Sequence, residues 1–191
     1  MPLKIVMGLG NPGKKYFKTR HNLGFWAVDL LSERLETKWR DSRLKSAIAS
    51  AEYEGWNLIL AEPTTFMNLS GEAARLILAH YQASPQDLLV ICDDINLPVG
   101  KIRIRKQGGT GGHHGLGSLI LCLGSQEFPR IRIGIRPLDS EVLPNLEDFV
   151  LSPFPKGEEA IVSESVKKAG DAVLCLLEEG IEAAMNLYNN Q

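Results

Sequence analysis

Hydrophobic positions fall into blocks of two distinct periods along the chain. Residues 3–9 are apolar nearly throughout, the pattern of a strand buried on both faces. A loop rich in glycine, proline and lysine follows, from Gly10 to about Arg20. Leu23, Trp26, Val28, Leu30, Leu31 and Leu35 then recur at helical spacing, with Asn22 placed to cap that helix. Residues 47–53 and 56–61 read as strands joined around Glu54 and Gly55 as a hairpin. Ser70 is positioned to cap a helix running to Tyr81, and residues 84–87 punctuate the entry to a strand at 88–92. Residues 101–105 alternate charge with Ile102 and Ile104, which predicts a strand with one wet, basic face. A glycine-rich loop leads into a helix near 116–123. Ile131, Ile133 and Ile135 mark another strand, and the chain from about Lys156 reads as helical.

Strands interleaved with helices, together with hairpin-like pairs, place the chain in the α/β class. The expected fold is a single α/β/α domain over residues 1–191, with a mixed, mostly parallel twisted sheet flanked by helices. The composition agrees: 44% hydrophobic and 23% charged residues suit a globular protein rather than a disordered one. The start of the chain has no basic segment leading into a long apolar one, and no apolar run approaches membrane-spanning length. Cys92, Cys122 and Cys175 are far apart and odd in number, which argues against a disulfide framework or zinc knuckle and fits a reducing cytosol. A cytoplasmic protein is expected.

Net charge is −2, and its distribution says more than its size. Residues 1–137 hold 18 Lys/Arg and 12 Asp/Glu, a charge of +6, whereas residues 138–191 hold 3 and 11, a charge of −8. A solvated acidic helix pair would give such an asymmetry, and so would a surface that orients a polyanion toward one face.

Gly8, Gly10 and Gly13 spell G-x-G-x-x-G after the first strand, the spacing of a dinucleotide-binding loop. The context does not fit. Helical periodicity begins only near Asn22, and Asp29 and Glu33 lie inside that helix rather than at the end of a second strand. NAD(P) is therefore not expected.

Three polar clusters sit at strand ends or glycine-rich turns, where open α/β sheets assemble their sites. Asn11, Pro12 and Gly13 accompany Thr19, Arg20, His21 and Asn22; residues 63–71 read PTTFMNLSG; Asp93 and Asp94 accompany the run 108–115, GGTGGHHG. A neutral histidine can take a proton from water, and a carboxylate can fix its tautomer and stabilise the imidazolium. Asparagines can donate to a developing oxyanion without adding a titrating charge. No G-x-S-x-G marks a covalent nucleophile, and adjacent His113 and His114 do not have metal-ligand spacing. Taken singly, each residue has an ordinary alternative. His21 can brace its helix, Asp93 and Asp94 can form a turn, Asn11 and Asn68 can satisfy loop backbone, and Phe66 and Met67 can be core.

Together the segments VMGLGNPGKKYFKTRHNLGF, PTTFMNLSGEA, CDDINLPVGKIRIR and GGTGGHHGLGS, followed by FPRIRIGI and FVLSPF, resemble the bacterial-type peptidyl-tRNA hydrolase family over essentially the whole chain. The resemblance implies a monomeric enzyme without metal or organic cofactor. It would cleave the ester between peptide and tRNA and so recycle tRNA from aborted translation. It also implies that His21 deprotonates the attacking water and that Asp93 orients His21. Asn11 would sense the acylated amino group, Asn68 would contact the substrate, and Tyr16, Phe66 and Met67 would line the same groove. The segment near 149–154 would lie beside the channel as a mobile cover. Lys14, Lys18 and Arg20, with Lys101, Arg103 and Arg105, would receive tRNA phosphates. One position departs from the pattern: the family commonly reads G-G-H-N-G where this chain has His114. A substrate-binding role carries over to His114, which titrates where a carboxamide does not. The same fold also serves catalytically silent RNA-binding proteins, and the joint presence of His21, Asp93, Asn11 and Asn68 favours the enzyme.

Overall fold

The computed structural model describes residues 1–138 and 145–190. In chain order the elements are β1 (Leu3–Gly8), α1 (Leu23–Arg34), β2 (Arg40–Ser42), β3 (Ser46–Tyr53), β4 (Trp56–Pro63), α2 (Ser70–Tyr81), β5 (Leu88–Pro98) and β6 (Ile102–Arg105). They continue with α3 (His114–Leu123), β7 (Arg130–Arg136), α4 (Leu146–Val150), α5 (Glu159–Glu179) and α6 (Ile181–Tyr188). The strands form one sheet in the order β2-β3-β4-β1-β5-β7-β6. The four central strands β4, β1, β5 and β7 run parallel, while β2 and β3 on one side and β6 on the other pair antiparallel.

The continuous apolar run of β1 follows from burial on both sides of the sheet. Val6, Leu60, Leu89 and Ile91 pack with α1, α5 and α6 through residues such as Leu23, Ala27, Leu31 and Val173. Their alternates Ile5, Met7, Val90 and Cys92 pack with Ala74 and Ile77 of α2 and with Leu116 and Leu119 of α3. Truncating any of these fully buried leucines or isoleucines to alanine removes about 2–5 kcal/mol of stability.

The hairpin between β3 and β4 forms as its turn residues predict. Glu54 and Gly55 both take positive φ, 45° and 79°, which brings Tyr53 opposite Trp56 in a tight turn whose twist matches the strands. Three local expectations are corrected. Asn22 precedes α1, yet its side chain makes no cap bond to the helix and reaches the Asn11 backbone instead. Ser70 opens α2, and its hydroxyl donates back to the Met67 carbonyl at 2.8 Å. The strand expected at 88–92 continues through Asp93 and Asp94 to Pro98, which sets aside the turn alternative for that pair. Two short elements, β2 and α4, lack any periodic signal in the sequence.

The first glycines of G-x-G-x-x-G have a packing explanation. A Cβ on Gly8 would lie 2.2 Å from the Gly24 carbonyl oxygen of α1, and one on Gly10 would overlap the Phe25 ring. They let α1 lie directly against β1.

At the far edge of the sheet, Asn189, just past α6, turns its carboxamide onto β6. The Ile104 N–H donates to Asn189 Oδ1 at 2.7 Å, and Asn189 Nδ2 donates to the Ile104 carbonyl at 3.1 Å. A side chain thus completes the ladder of an exposed strand edge.

Candidate active site

Strand β1 ends at Gly8, and the loop after it is stapled before the chain enters a 3-10 turn at Arg20–Asn22. The staple is Asn22, which accepts from the Asn11 N–H and donates to the Asn11 carbonyl, both at 2.9 Å. It holds Asn11 and His21 at the C-terminal ends of the central strands, beside Asp93 on β5.

His21 Nδ1 lies 2.9 Å from both carboxylate oxygens of Asp93. A second imidazole meets the same carboxylate: His113 Nε2 is 3.0 Å from Asp93 Oδ1. The other His113 nitrogen, Nδ1, accepts from the backbone N–H groups of Gly115 at 3.1 Å and Leu116 at 3.3 Å, at the start of α3. An acceptor Nδ1 places the proton on Nε2, so His113 donates to Asp93. Asp93 is 2% exposed and His21 6%. Burial favours the acid form of Asp93, but the two imidazoles outweigh it and hold the carboxyl well below the usual carboxylate range. Burial also opposes a charged His21, and the neighbouring Asp93 outweighs that, raising the imidazole above its ordinary pKa. With Asp93 ionised, His21 carries its proton on Nδ1 and presents a basic Nε2.

His21, Asp93 and His113 are also the one trio among the described residues with potential metal-donor atoms within 4.8 Å of one another. The hydrogen bonds account for the cluster without a cation, because two imidazole N–H groups already satisfy the carboxylate.

The trio opens into a cavity of about 440 Å³ lined by Asn11, Met67, Asn68, Thr110, His114 and Arg132 and walled on one side by α4. Asn11 Oδ1 accepts from the Met67 N–H at 2.8 Å, which fixes the carboxamide so that its Nδ2 donors remain for a ligand. Gly115 makes room for Met67: a Cβ there would stand 2.5 Å from the Met67 sulfur.

The glycine-rich loop is tied down by arginines. Arg130, fully buried, donates to the Gly108, Gly109 and Gln126 carbonyls and stacks on Phe128. Arg132 donates to the Gly109 carbonyl at 2.9 Å and contacts Asp94 at 3.4 Å. The loop therefore holds His113 on firm supports.

Of the residues singled out from the sequence, His21, Asp93, Asn11, Met67, Asn68 and His114 come together around this cavity. Tyr16 and Phe66 stack edge to face, ring centroids 6.2 Å apart, but are not part of its lining. Lys14, Lys18, Lys101, Arg103 and Arg105 are exposed. Arg103 lies opposite Arg132 in the β6–β7 register, so basic side chains run from the sheet edge toward the cavity. Arg20 is the correction. It is 5% exposed, under the 149–154 segment, and cannot meet a phosphate. His113 and Arg132 were missed. The available signals were a histidine just ahead of a predicted helix and the alternation of arginines in FPRIRIGI, which turns Arg132 to the same face of β7 as Arg130.

A sequence profile described as "Peptidyl-tRNA hydrolase" matches residues 5–191. The chain is 43% identical over 188 residues to a peptidyl-tRNA hydrolase of Listeria welshimeri, covering 98% of this chain and 100% of the relative. It is 44% identical over 186 residues to one from Chloroflexus aggregans, covering 97% and 98%. The crystal structure of peptidyl-tRNA hydrolase from Acinetobacter baumannii superposes with a TM-score of 0.90 at 31% identity, over 98% of this chain and 94% of that one. The profile spans nearly all the chain, and the relatives are similar across their full length. The chain belongs to the peptidyl-tRNA hydrolase family.

Proposed function

We propose that this protein is an esterase that cleaves peptidyl-tRNA by water attack, with His21 as general base. The observation that carries the reading is the buried His21–Asp93 pair opening into the cavity. His21 Nε2 takes a proton from water as the oxygen attacks the ester carbonyl carbon. The tetrahedral intermediate then collapses, the bond to the ribose oxygen of the terminal nucleotide breaks, and the imidazolium returns its proton to that leaving oxygen. Asp93 holds the productive tautomer and stabilises the transient imidazolium. His113 keeps Asp93 aimed and ionised. Asn11, whose oxygen is engaged by Met67, turns its Nδ2–H donors toward the carbonyl of the acyl group on the substrate's amino nitrogen. A free aminoacyl group lacks that carbonyl, which gives Asn11 a means of discrimination. Asn68 and His114 flank the same space, and Tyr16 with Phe66 offers an aromatic ledge outside it.

Lys14, Lys18, Lys101, Arg103 and Arg105 receive phosphates in this reading, with Arg132 at the inner end of the β6 stripe. The protein works as a cytoplasmic, one-domain monomer without a metal or organic cofactor. No described helix is long and apolar enough to cross a membrane. The silent RNA-binding alternative gains nothing from a base and carboxylate in contact at the cavity floor.

The test is hydrolysis of N-blocked aminoacyl-tRNA. The wild-type chain releases the blocked amino acid, and His21→Ala lowers kcat by about 10²–10⁴-fold. Undiminished release by His21→Ala removes the mechanism, and no release by the wild type removes the activity.

A further inference from the structure

Arg20 stands next to His21 in the chain, and its contacts all lead to one segment. Its backbone N–H donates to the Ser152 carbonyl at 3.1 Å, and Thr19 pairs with Pro153 in a single antiparallel bridge. Its Nη1 donates to Ser152 Oγ and to the Pro153 carbonyl, both at 2.6 Å. The guanidinium carbon lies 4.2 Å from the ring centroid of Phe149 and 4.9 Å from that of Phe154. Nη2 faces Glu158 at 3.9 Å, an ion pair too long for a hydrogen bond. The anchored segment continues from α4, whose Leu146, Glu147 and Val150, with Leu151, form one wall of the cavity.

We propose that Arg20 is a positioning residue that fixes α4 as a wall of the substrate cavity by tying residues 149–158 to the turn carrying His21. Base and wall then share one mount, and the distance between them is set by two consecutive residues. The side-chain chemistry suits the task. A planar guanidinium can bridge a hydroxyl and a carbonyl while lying between two aromatic rings, which an ammonium cannot do. None of these contacts reaches Asp93, so Arg20 acts on where substrate is held rather than on the proton transfer.

The experiment compares Arg20→Gln and Arg20→Lys with wild type in two measurements. In hydrolysis of N-blocked aminoacyl-tRNA, Arg20→Gln raises KM about ten-fold with kcat within about two-fold, because it removes wall contacts made equally in ground and transition states. The acid limb of its pH profile stays in place, and Arg20→Lys falls between the two. In amide hydrogen exchange, residues 147–152 of Arg20→Gln exchange about ten-fold faster while amides of β1 and β5 keep their protection. An unchanged KM, a fall in kcat at constant KM, or faster exchange spread evenly over the sheet would each overturn the proposal. Should Arg20→Gln fail to fold, Ser152→Ala removes the 2.6 Å acceptor and leaves Arg20 intact. It raises KM about three-fold, and an unchanged KM there refutes the idea equally. The kinetic arm rests on the activity proposed above. If the wild type proves inactive, that reading fails while the exchange pattern still decides the role of Arg20.

Discussion

His113 and His21 share Asp93: the two rings approach the same carboxylate oxygen at 3.0 and 2.9 Å. Replacing His113 with alanine removes one donor and leaves a carboxylate that attracts the His21 proton more strongly. The pKa of His21 rises, so the acid limb of kcat/KM moves upward and kcat falls about ten-fold. A pH–rate profile of His113→Ala checks this. A limb that stays in place or moves down would show that His113 does not act through Asp93.

The same pair contributes to stability with a definite sign. His21 binds its proton more tightly folded than unfolded, so its contribution is fully present below the unfolded value near 6.5 and is lost as pH rises through the raised folded value. Thermal melting should therefore show a larger deficit for His21→Ala at pH 5.5 than at pH 8.5. An equal deficit at both would contradict the raised pKa.

Glu62 has the opposite character. Burial, reinforced by Asp29, pushes its carboxyl up to about 8 from a reference of 4.5, and its Oε1 has no hydrogen-bond partner among the described residues. The folded state therefore holds a proton that the unfolded chain releases from about pH 4.5, and stability declines until pH passes about 8. Glu62→Gln is free of that decline. Its melting temperature should gain on wild type between pH 5 and pH 8.5, by an amount equivalent to about 4 kcal/mol. A difference independent of pH would argue that Glu62 is ionised in the fold.

The basic edge has a salt signature. Neutralising Arg103 or Arg105 should raise KM for a tRNA substrate and lower the slope of log affinity against log salt by about 1 each, since each phosphate contact releases its own counterion. Activity on a short ester lacking the tRNA body should not change. Equal slopes for wild type and variants would remove both residues from the interface.

Apart from the short β2, the sheet strands and the long helices were legible because burial on two faces leaves continuous apolar runs and burial on one leaves a 3.6-residue stripe. The turn was legible because Gly55 accepts positive φ at no steric cost, whereas the positive φ of Glu54 was not something its side chain announced. What escaped notice depended on contacts distant in sequence. His113 is held by Asp93, 20 residues away, and by two amides of its own helix. Arg20 lies in a run with Lys14, Lys15 and Lys18 that reads as a charged loop, and only the fold brings Ser152 and two phenylalanine rings over it. Asn22 occupies a cap position by spacing but is committed to the loop across from it. Local periodicity reports which side of an element is buried and is silent about which partner meets a polar side chain.

The Asn189 carboxamide has a consequence for the order in which the molecule is finished. Ile104 waits for a residue made 85 positions later before both of its main-chain groups on that edge are satisfied. During synthesis, β6 is therefore an open template until nearly the whole chain has emerged. Its arginines, charged and alternating along that edge, keep nascent copies apart in the interval. The positive charges proposed to attract RNA would then already have acted as protection against self-association before the enzyme was complete.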